Sequence, residues 1–211
     1  SYHEKMGVEF ILNTIAERIK PTDKGVSISL SDGKDSNPDF VVIGVGVQAA
    51  SSIAEDAGLD CSNGILVDEN CLTNDKNIYA AGDCVNYYYS RYGTRHRLES
   101  VQNAIDQAAI VSSSIVGEPI VYNSTPWFWS DQYDLKLKIA GLSQESDLIV
   151  IRGKTEELKF SACHFKENKL IAVECVNDQK TFMLGKKLIE TESSITPEAM
   201  ENTLTNLKDW R

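Results

Sequence analysis

The sequence predicts an α/β segment followed by a small α+β domain, and two patterns support this fold class. In the first, a short apolar run at Ile78–Ala81 leads through Gly82 and Asp83 to a long segment of helical period. In the second, strand-like runs after Pro126 precede two further segments of helical period. The 211 residues are enough for one large or two small domains with their own cores.

The amino-terminal part of the chain predicts a β-meander. Val8–Ile11 has the composition of a strand, and Val26–Leu30 alternates cleanly between apolar and polar residues. A Ser-Asp-Gly-Lys turn then leads to Pro38–Val45, whose apolar residues are typical of a buried strand. We therefore expect these runs to form neighbouring strands.

A glycine-containing turn, Gly44-Val-Gly-Val-Gln-Ala, ends this part of the chain. Gly44 and Gly46 fit the G-x-G-x-x-A pattern of a dinucleotide-binding turn, and Asp68 follows about twenty residues later. The helix expected next, Ala50–Ala57, is short, and a meander precedes the turn instead of a βαβ unit. From the residues alone, a dinucleotide fingerprint and a purely structural turn both stay open.

Arg97–Gly117 predicts an amphipathic helix, with Ser100 placed to cap its start. The N–H groups and partial positive charge at that start suit an electron-rich acceptor on a ligand. Asp83 can accept hydrogen bonds from ribose or sugar-alcohol hydroxyls at the end of the preceding strand. An ordinary strand, turn and helix fits the same spacing. The residues expected to form the buried face of the helix are Val101, Ala104, Ile105, Ala108 and Val111.

The segment before this helix predicts a surface loop. Tyr87–Arg95 is polar and aromatic, and His96 stands between two arginines. That setting is more typical of a solvated residue than of an acid–base catalyst, so we predict no catalytic side chain here.

The carboxyl-terminal part predicts a small α+β domain. Two helices are expected after its strands, at Asp178–Glu190 and Pro197–Leu207. Trp127 and Trp129 are two residues apart, so on an extended segment they share one face. They could be large core anchors between domains. The four strand-like runs are Leu135–Ala140, Leu148–Arg152, Leu158–Phe165 and Leu170–Val176.

Charge and hydropathy exclude several classes of partner. The net charge of −10 argues against nucleic acid, which needs lysine and arginine to meet its phosphates, and against an anionic membrane surface. The longest apolar run, Phe40–Val47, is far shorter than the roughly 20 residues of a membrane helix. The five cysteines form neither a Cys-x-x-Cys pair nor a zinc pattern. We therefore expect buried free thiols, no metal site and a reducing cytoplasm.

Three segments of the sequence together resemble a known family. They are Thr73–Cys84, Arg97–Ala109 and Pro126–Tyr133, the last reading Pro-Trp-Phe-Trp-Ser-Asp-Gln-Tyr. In this order they resemble the carboxyl-terminal half of bacterial FAD-dependent NAD(P)H–ferredoxin and rubredoxin reductases, of the type coupled to oxygenases and cytochromes P450. The Ile-Tyr-Ala-Ala-Gly-Asp segment is shared by many flavin disulfide-reductase-like enzymes. The Trp-Phe-Trp run is much more specific for this family.

The resemblance covers nearly the whole chain and implies its domain organisation. Residues 1–60 would be the end of an NAD-binding domain, and residues 61–124 the second segment of an FAD-binding domain. Both would be parts of Rossmann-like domains, and residues 125–211 would be the carboxyl-terminal α+β reductase domain. Gly44 and Gly46 would then pass close to bound NAD(H), although the usual Pro-Asn after this turn is replaced here by Ala49-Ala50.

The resemblance also implies roles for residues around the central helix. Gly82 and Asp83 would hold the ribitol–phosphate part of FAD, and Glu99 would lie near the nicotinamide carboxamide. Trp127 would pack near the flavin, and Trp129 would face the protein partner. The backbone N–H groups offered to the pyrimidine edge of the flavin would come from Ser100, Val101 and Gln102.

The function implied is electron transfer from NAD(P)H through FAD to a ferredoxin or a rubredoxin. Reductases of this family carry two Gly-x-Gly-x-x-Gly turns that this chain lacks, so we expect it to lack reductase activity by itself and to bind FAD weakly or not at all. Open strand edges would favour a homodimer. Two alternatives are a cofactor-free structural or dimerisation module, and a related flavin reductase whose acceptor is a quinone or an ascorbate radical.

Overall fold

The structure is a computed structural model that describes residues 2–120 and 124–210. It divides into two units, Ser1–Val47 and Gln48–Arg211. Among the described residues, no helix combines the length and the apolar character needed to cross a bilayer.

The first unit is built around a small antiparallel sheet in the order β1-β2-β3. A short helix, α1 (Tyr2–Lys5), comes first along the chain. β1 (Ala16–Thr22) and β2 (Gly25–Leu30) form a hairpin, and β3 (Asp35–Ser36) pairs with the other side of β2. The strand predicted at 26–30 is therefore confirmed.

Two other strands predicted in this unit are wrong. Val8–Ile11 has no regular secondary structure, and neither does Pro38–Val45. Phe40 is 75% exposed and Val45 is 89% exposed. An apolar run forms a buried strand only when neighbouring strands and a packed layer cover it. In this unit the Pro38 carbonyl accepts from the Val26 N–H of β2 at 3.0 Å, but Phe40 and Val45 stay exposed.

The first half of the second unit combines a small mixed sheet with a long helix. α2 (Ser52–Asp56) is followed by β4 (Ile65–Leu66), which pairs in parallel with β5 (Val85–Tyr89). β5 then pairs antiparallel with β6 (Thr94–His96). The long helix, α3 (Val101–Ile115), follows directly.

The strand predicted at Ile78–Ala81 and the loop predicted at Tyr87–Arg95 are both wrong. Tyr79 forms only an isolated bridge with Leu72, and the regular strand begins at Val85, beyond the turn at Gly82. The segment predicted as a surface loop is instead largely the β5–β6 hairpin, because its inward-facing tyrosines find partners for their hydroxyl groups. The buried Tyr87 donates to the carbonyl of Glu69 at 3.0 Å, and the buried Tyr89 donates to Asn103 Oδ1 at 2.7 Å.

Helix α3 begins where the sequence predicts, but it buries a different face. Ser100 is extended, and its Oγ accepts a hydrogen bond from the Asn103 N–H at 3.2 Å, so the predicted cap is confirmed. Val101 is 61% exposed, and Ile105 is exposed as well. The face that is buried instead consists of Asn103, Gln107 and Ile110.

The second half of the second unit is an antiparallel sheet in the order β7-β8-β11-β10-β9. Its four predicted strand runs are confirmed, and β7 is added at its edge. The strands are β7 (Trp127–Gln132), β8 (Leu135–Gly141), β9 (Leu148–Lys154), β10 (Lys159–Lys166) and β11 (Lys169–Val176).

Two helices follow this sheet. α4 (Gln179–Glu190) begins at Asp178, whose side chain accepts from the Thr181 N–H at 3.1 Å, and it lies against β8 and β11. α5 (Pro197–Glu201) is shorter than predicted, because the helix ends at Asn202 and a separate 3-10 turn forms at Leu207–Trp210.

The second unit contains two hydrophobic cores. One lies between the β4-β5-β6 sheet and α3, and includes Cys71, Val85 and Ile110. The other lies between the antiparallel sheet and α4, and includes Cys163 and Cys175. All five cysteines are free, and burial raises the pKa of these three thiols to about 12. The prediction of buried free thiols is confirmed for these three.

Gly141 is predicted to be essential for the packing of β8. Its φ of 85° is left-handed, and a Cβ there would collide with the carbonyl oxygen of Ile171. Gly117 has a similar φ of 82° with open space around it. We expect Gly117→Ala to lower the free energy of unfolding by about 1 kcal/mol, the strain of a left-handed alanine. Gly141→Ala should lower it by roughly 2 kcal/mol more, since overpacking is added. Urea denaturation of both variants measures these changes. Equal losses of unfolding free energy in the two variants would contradict the special role of Gly141.

His96 is predicted to make stability depend on pH. Its Nε2 lies 2.7 Å from Thr94 Oγ1, and desolvation lowers its pKa below the ordinary 6.5, opposed by the charge of Glu145. The unfolded state therefore takes up this proton first as the pH falls. Stability contributed by neutral His96 is fully present above 6.5 and is lost as the pH falls through the lower folded value. His96→Asn should flatten the fall in unfolding free energy between neutral and mildly acidic pH. If unfolding free energy falls with pH equally steeply in the wild type and the variant, His96 is not the source of this pH dependence.

Candidate functional site

The turn at Gly82 and Asp83 forms one end of the candidate site. Gly82 is buried with a φ of 89°, its N–H donates to Gln107 Oε1 at 2.8 Å, and its carbonyl accepts from the Val85 N–H at 3.0 Å. Asp83 is exposed, and its carboxylate has no hydrogen-bond or ion-pair partner within 2–120 and 124–210. The turn thus presents a free carboxylate on a fixed backbone.

Arg97 ties this turn to the residues before α3. Its guanidinium donates to the carbonyl of Asp83 at 3.1 Å and to Asn63 Oδ1 at 3.3 Å, and it forms an ion pair with Glu99. The side chain is 10% exposed and packs over Gly64, where a Cβ would meet Arg97 Cδ at 3.0 Å. Sequence reasoning gave Arg97 no role. Its hydrogen-bond partners lie 14 and 34 residues away along the sequence, so no local sequence pattern predicts these bonds.

The start of α3 forms the other end of the site. Ser100 accepts the Asn103 N–H, which leaves the N–H groups of Val101 and Gln102 without an acceptor in the described part of the chain. Such N–H groups carry the positive end of the helix dipole. The Gln102 side chain donates to Asp106 Oδ1 at 2.7 Å, so it lies along the helix surface. An electron-rich acceptor could therefore bind at this helix start.

A cleft of about 440 Å³ brings the first turns of α3 next to β7. Gln102 and Trp127, two of the residues predicted to bind a cofactor, line it together. Thr125 also lines it, is 1% exposed, and its Oγ1 has no partner among the described residues. A buried polar group without a partner costs roughly 1–3 kcal/mol, so this hydroxyl marks a place where a ligand atom would be stabilising.

The two tryptophans share one face, as the sequence predicts. Their ring centroids are 5.5 Å apart, and Trp127 packs edge-on against Phe182 at 6.0 Å. Lys186 Nζ lies 5.8 Å from the centre of the Trp127 ring. Trp129 is 49% exposed, so a large aromatic surface with a nearby positive charge is open to solvent. This surface is adjacent to the cleft that Trp127 lines.

Three other predicted site residues remain, two in the first unit and one beside the start of α3. Gly44 and Gly46 lie in the first unit, outside any strand, with φ of 90° at Gly46 and no neighbour that a Cβ would meet at either. Glu99 is exposed and paired with Arg97, at the edge of the site. In the part of the chain that the structure describes, no cluster of histidine, cysteine and carboxylate side chains could hold a metal ion.

The assembled residues fit an elongated ligand with hydroxyl groups at one end and a flat ring at the other. The free Asp83 carboxylate can accept from hydroxyls, and the start of α3 can donate to an electron-rich ring edge. The exposed side chain of Trp129 and the partly buried ring of Trp127 supply aromatic surface beside that position. FAD has both parts, and the unpartnered Thr125 hydroxyl is one more group that such a ligand could satisfy.

The chain is similar to reductases of known identity along nearly all of its length. It is 39% identical over 207 residues to rhodocoxin reductase of Rhodococcus erythropolis, covering 98% of this chain and 48% of that protein. The crystal structure of the ferredoxin reductase for the CYP199A2 system from Rhodopseudomonas palustris superimposes with a TM-score of 0.94 at 41% identity. That match covers 99% of this chain and 52% of the other.

A second solved structure, the covalent putidaredoxin reductase–putidaredoxin complex, also has a TM-score of 0.94, at 31% identity. It covers 99% of this chain and 51% of the other, so the chain spans about half the length of the relatives it matches. The predicted fold class, Rossmann-like α/β segments followed by an α+β reductase domain, is confirmed by these matches.

Two family matches cover most of the sequence. Residues 127–211 match the reductase C-terminal family, which accounts for the antiparallel sheet and α4. Residues 1–108, more than half of the chain, match the pyridine nucleotide-disulphide oxidoreductase family. With the Gly82–Asp83 turn, the capped start of α3 and the Trp-Phe-Trp strand in place, the chain belongs to the pyridine nucleotide-disulphide oxidoreductases, in the branch that carries a carboxyl-terminal reductase domain.

Proposed function

We propose that this chain is part of a flavoprotein oxidoreductase that passes electrons from NAD(P)H through FAD to a ferredoxin or a rubredoxin. One observation carries the proposal: the capped, N–H-bearing start of α3 and the ring of Trp127 meet at one cleft. When bound, FAD would accept a hydride from the nicotinamide and release electrons one at a time. The residues of this chain supply binding, orientation and electrostatics.

Each candidate residue has a role that its chemistry supports. Asp83, on the turn formed with Gly82, would accept hydrogen bonds from the ribitol of FAD. At the start of α3, Ser100, Val101 and Gln102 would present N–H groups and positive potential to the pyrimidine edge, which favours negative charge on the ring.

Two further assignments concern NAD(P)H. Glu99, held by Arg97, would lie near the nicotinamide carboxamide. Gly44 and Gly46 would pass close to NAD(P)H in the domain formed by residues 1–60. Hydride transfer between two aligned rings needs no proton-shuttling side chain, so positioning is the contribution expected from these residues.

The two hydrophobic cores support a division into residues 61–124 and 125–211: one core lies within 125–211, and the other lies within 61–124 except for Ala54 and Leu142. We assign the first to the FAD-binding segment and the second to the reductase domain. The predicted boundary adjoins residues 121–123, which lie outside the described residues. A reducing cytoplasm is the compartment we propose, since all five thiols are free.

Trp129 is the residue that we propose to dock the iron–sulfur or iron protein. It is exposed beside Trp127, and tryptophan is enriched among the hot spots of protein interfaces. The solved relative that contains putidaredoxin is a reductase–partner complex. A quinone or ascorbate-radical acceptor would not need an aromatic surface of this kind.

A second candidate function is a cofactor-free dimerisation module. The exposed apolar residues Val101, Ile105, Ile115 and Val116 on or beside α3 favour it, because such a surface is usually covered in solution. In that case the chain would associate with a second copy and bind no flavin. FAD binding to the purified chain discriminates between the two functions.

Asp83→Ala is predicted to weaken FAD binding. The variant loses the hydrogen bonds that the Asp83 carboxylate would accept from FAD, so the dissociation constant for FAD should rise about tenfold or more. The measurement is quenching of FAD fluorescence at equilibrium, which detects the weak binding expected of this chain. Asp23→Ala, which removes an exposed carboxylate from the other unit, is the matched control and should bind like the wild type. Equal affinities for all three proteins would contradict the role of Asp83, and no binding by the wild type would favour the dimerisation module.

Trp129→Ala is predicted to weaken binding of the protein partner. Putidaredoxin is the probe, and immobilised wild-type chain should bind it measurably. Truncating a central aromatic residue typically costs about 2 kcal/mol or more, so the dissociation constant should rise by about thirtyfold. Tyr88→Ala removes a similarly exposed aromatic ring from β5 and should leave binding unchanged. If both variants lose affinity to the same extent, the docking role of Trp129 is wrong.

A further inference from the structure

Gln107 is a buried polar residue on α3 with one half of its amide unused. It is 0% exposed, its Oε1 accepts the Gly82 N–H at 2.8 Å, and its Nε2 has no partner among the described residues. Because a backbone N–H can only donate, the oxygen must face Gly82 and the orientation of the amide is fixed. Asn103, one turn earlier on the same face, uses both ends: Oδ1 accepts from Tyr89 and Nδ2 donates to the carbonyl of Leu98.

Fold stability does not account for a glutamine at this position. The amide satisfies the buried Gly82 N–H but leaves its own Nε2 buried and unpaired. A methionine of similar length would leave the Gly82 N–H unpaired and introduce no new polar atom. Each residue thus leaves one buried donor without an acceptor, so the two should give similar stability. What glutamine provides and methionine does not is a directional bond from the helix to the turn.

That bond joins the two ends of the candidate site. Gly82 lies against the first turns of α3, where a Cβ would meet the Ala104 Cβ at 3.7 Å. Seven residues separate Ser100 from Gln107, which is about 10 Å along a helix axis. Arg97 holds the Asp83 carbonyl from the amino-terminal side of α3, and Gln107 holds the Gly82 N–H from further along it. With both bonds made, the Asp83 carboxylate stays at a set distance from the start of the helix.

We propose that Gln107 is a positioning residue for the flavin. Its side-chain carbonyl holds the Gly82–Asp83 turn in register with α3, so that Asp83 and the N–H groups at the start of the helix can contact the same FAD molecule. The inference rests on the proposed function of these residues, and it assigns Gln107 no contact with the cofactor.

The first test is made on the chain without cofactor. Gln107→Met should shift the amide proton resonance of Gly82 and speed its hydrogen exchange at least tenfold. The melting temperature should stay within about 3 °C of the wild type. Ile110→Val, one turn further along the buried face, is the matched control and should leave the Gly82 amide unchanged. Burial favours the protonated form of a glutamate here, and in Gln107→Glu that form keeps a carbonyl oxygen for the Gly82 N–H. In this variant the Gly82 resonance should return towards its wild-type position.

The second test measures FAD affinity by fluorescence quenching in the same proteins. Gln107→Met should weaken FAD binding about tenfold, Gln107→Glu less, and Ile110→Val not at all. A freed Gly82 amide with unchanged FAD affinity would overturn the positioning role while leaving the proposed function intact. A large fall in the melting temperature of Gln107→Met would also overturn it, because the role would then be structural. If the wild type binds no FAD, the proposed function fails, and so does any role of Gln107 in positioning the cofactor.

Discussion

The hydrogen bonds on the buried face of α3 determine how the rest of the second unit is arranged. Asn103 accepts from Tyr89 of β5, and Gln107 accepts from Gly82, so the helix is held to the hairpin and the turn by directional bonds. Burial of Ile110 adds apolar contact below them. Because both bonds lie on one side of the helix, its amino terminus is held in one orientation, next to Arg97 and the Asp83 carbonyl.

The same hairpin fixes the carboxyl-terminal half against the helix. Arg91, in the β5–β6 turn, donates to the carbonyl of Ile189 at 2.7 Å, near the negative end of α4. Tyr92 donates to the carbonyl of Ile171 at 3.4 Å. The two cores are therefore joined by polar contacts to main-chain carbonyls. Through them the position of Trp127 relative to α3 depends on the hairpin as well as on β7.

Alternating strands and helix caps were predictable because they depend on near neighbours in sequence. β10, β11 and the Ser100 cap are examples. The buried face of α3 was not, because hydrophobic periodicity assigns apolar residues to the interior, whereas here two amides have buried partners. Arg97 was missed for a related reason, since its role depends on groups brought together by folding. The roles of Asp83, Glu99 and the tryptophans came from the resemblance, and the structure supplies the surroundings in which they can be tested.

The buried cysteines give the chain separate internal reporters of opening. Cys71 lies in the core beneath α3, whereas Cys163 and Cys175 lie in the core beneath α4. With pKa values raised to about 12 by burial, these thiols are protonated and unreactive at neutral pH while the cores are closed. The rate at which a thiol reagent modifies each one therefore measures how often its own core opens. One polypeptide can thus show whether the core beneath α3 and the core beneath α4 open together or in turn.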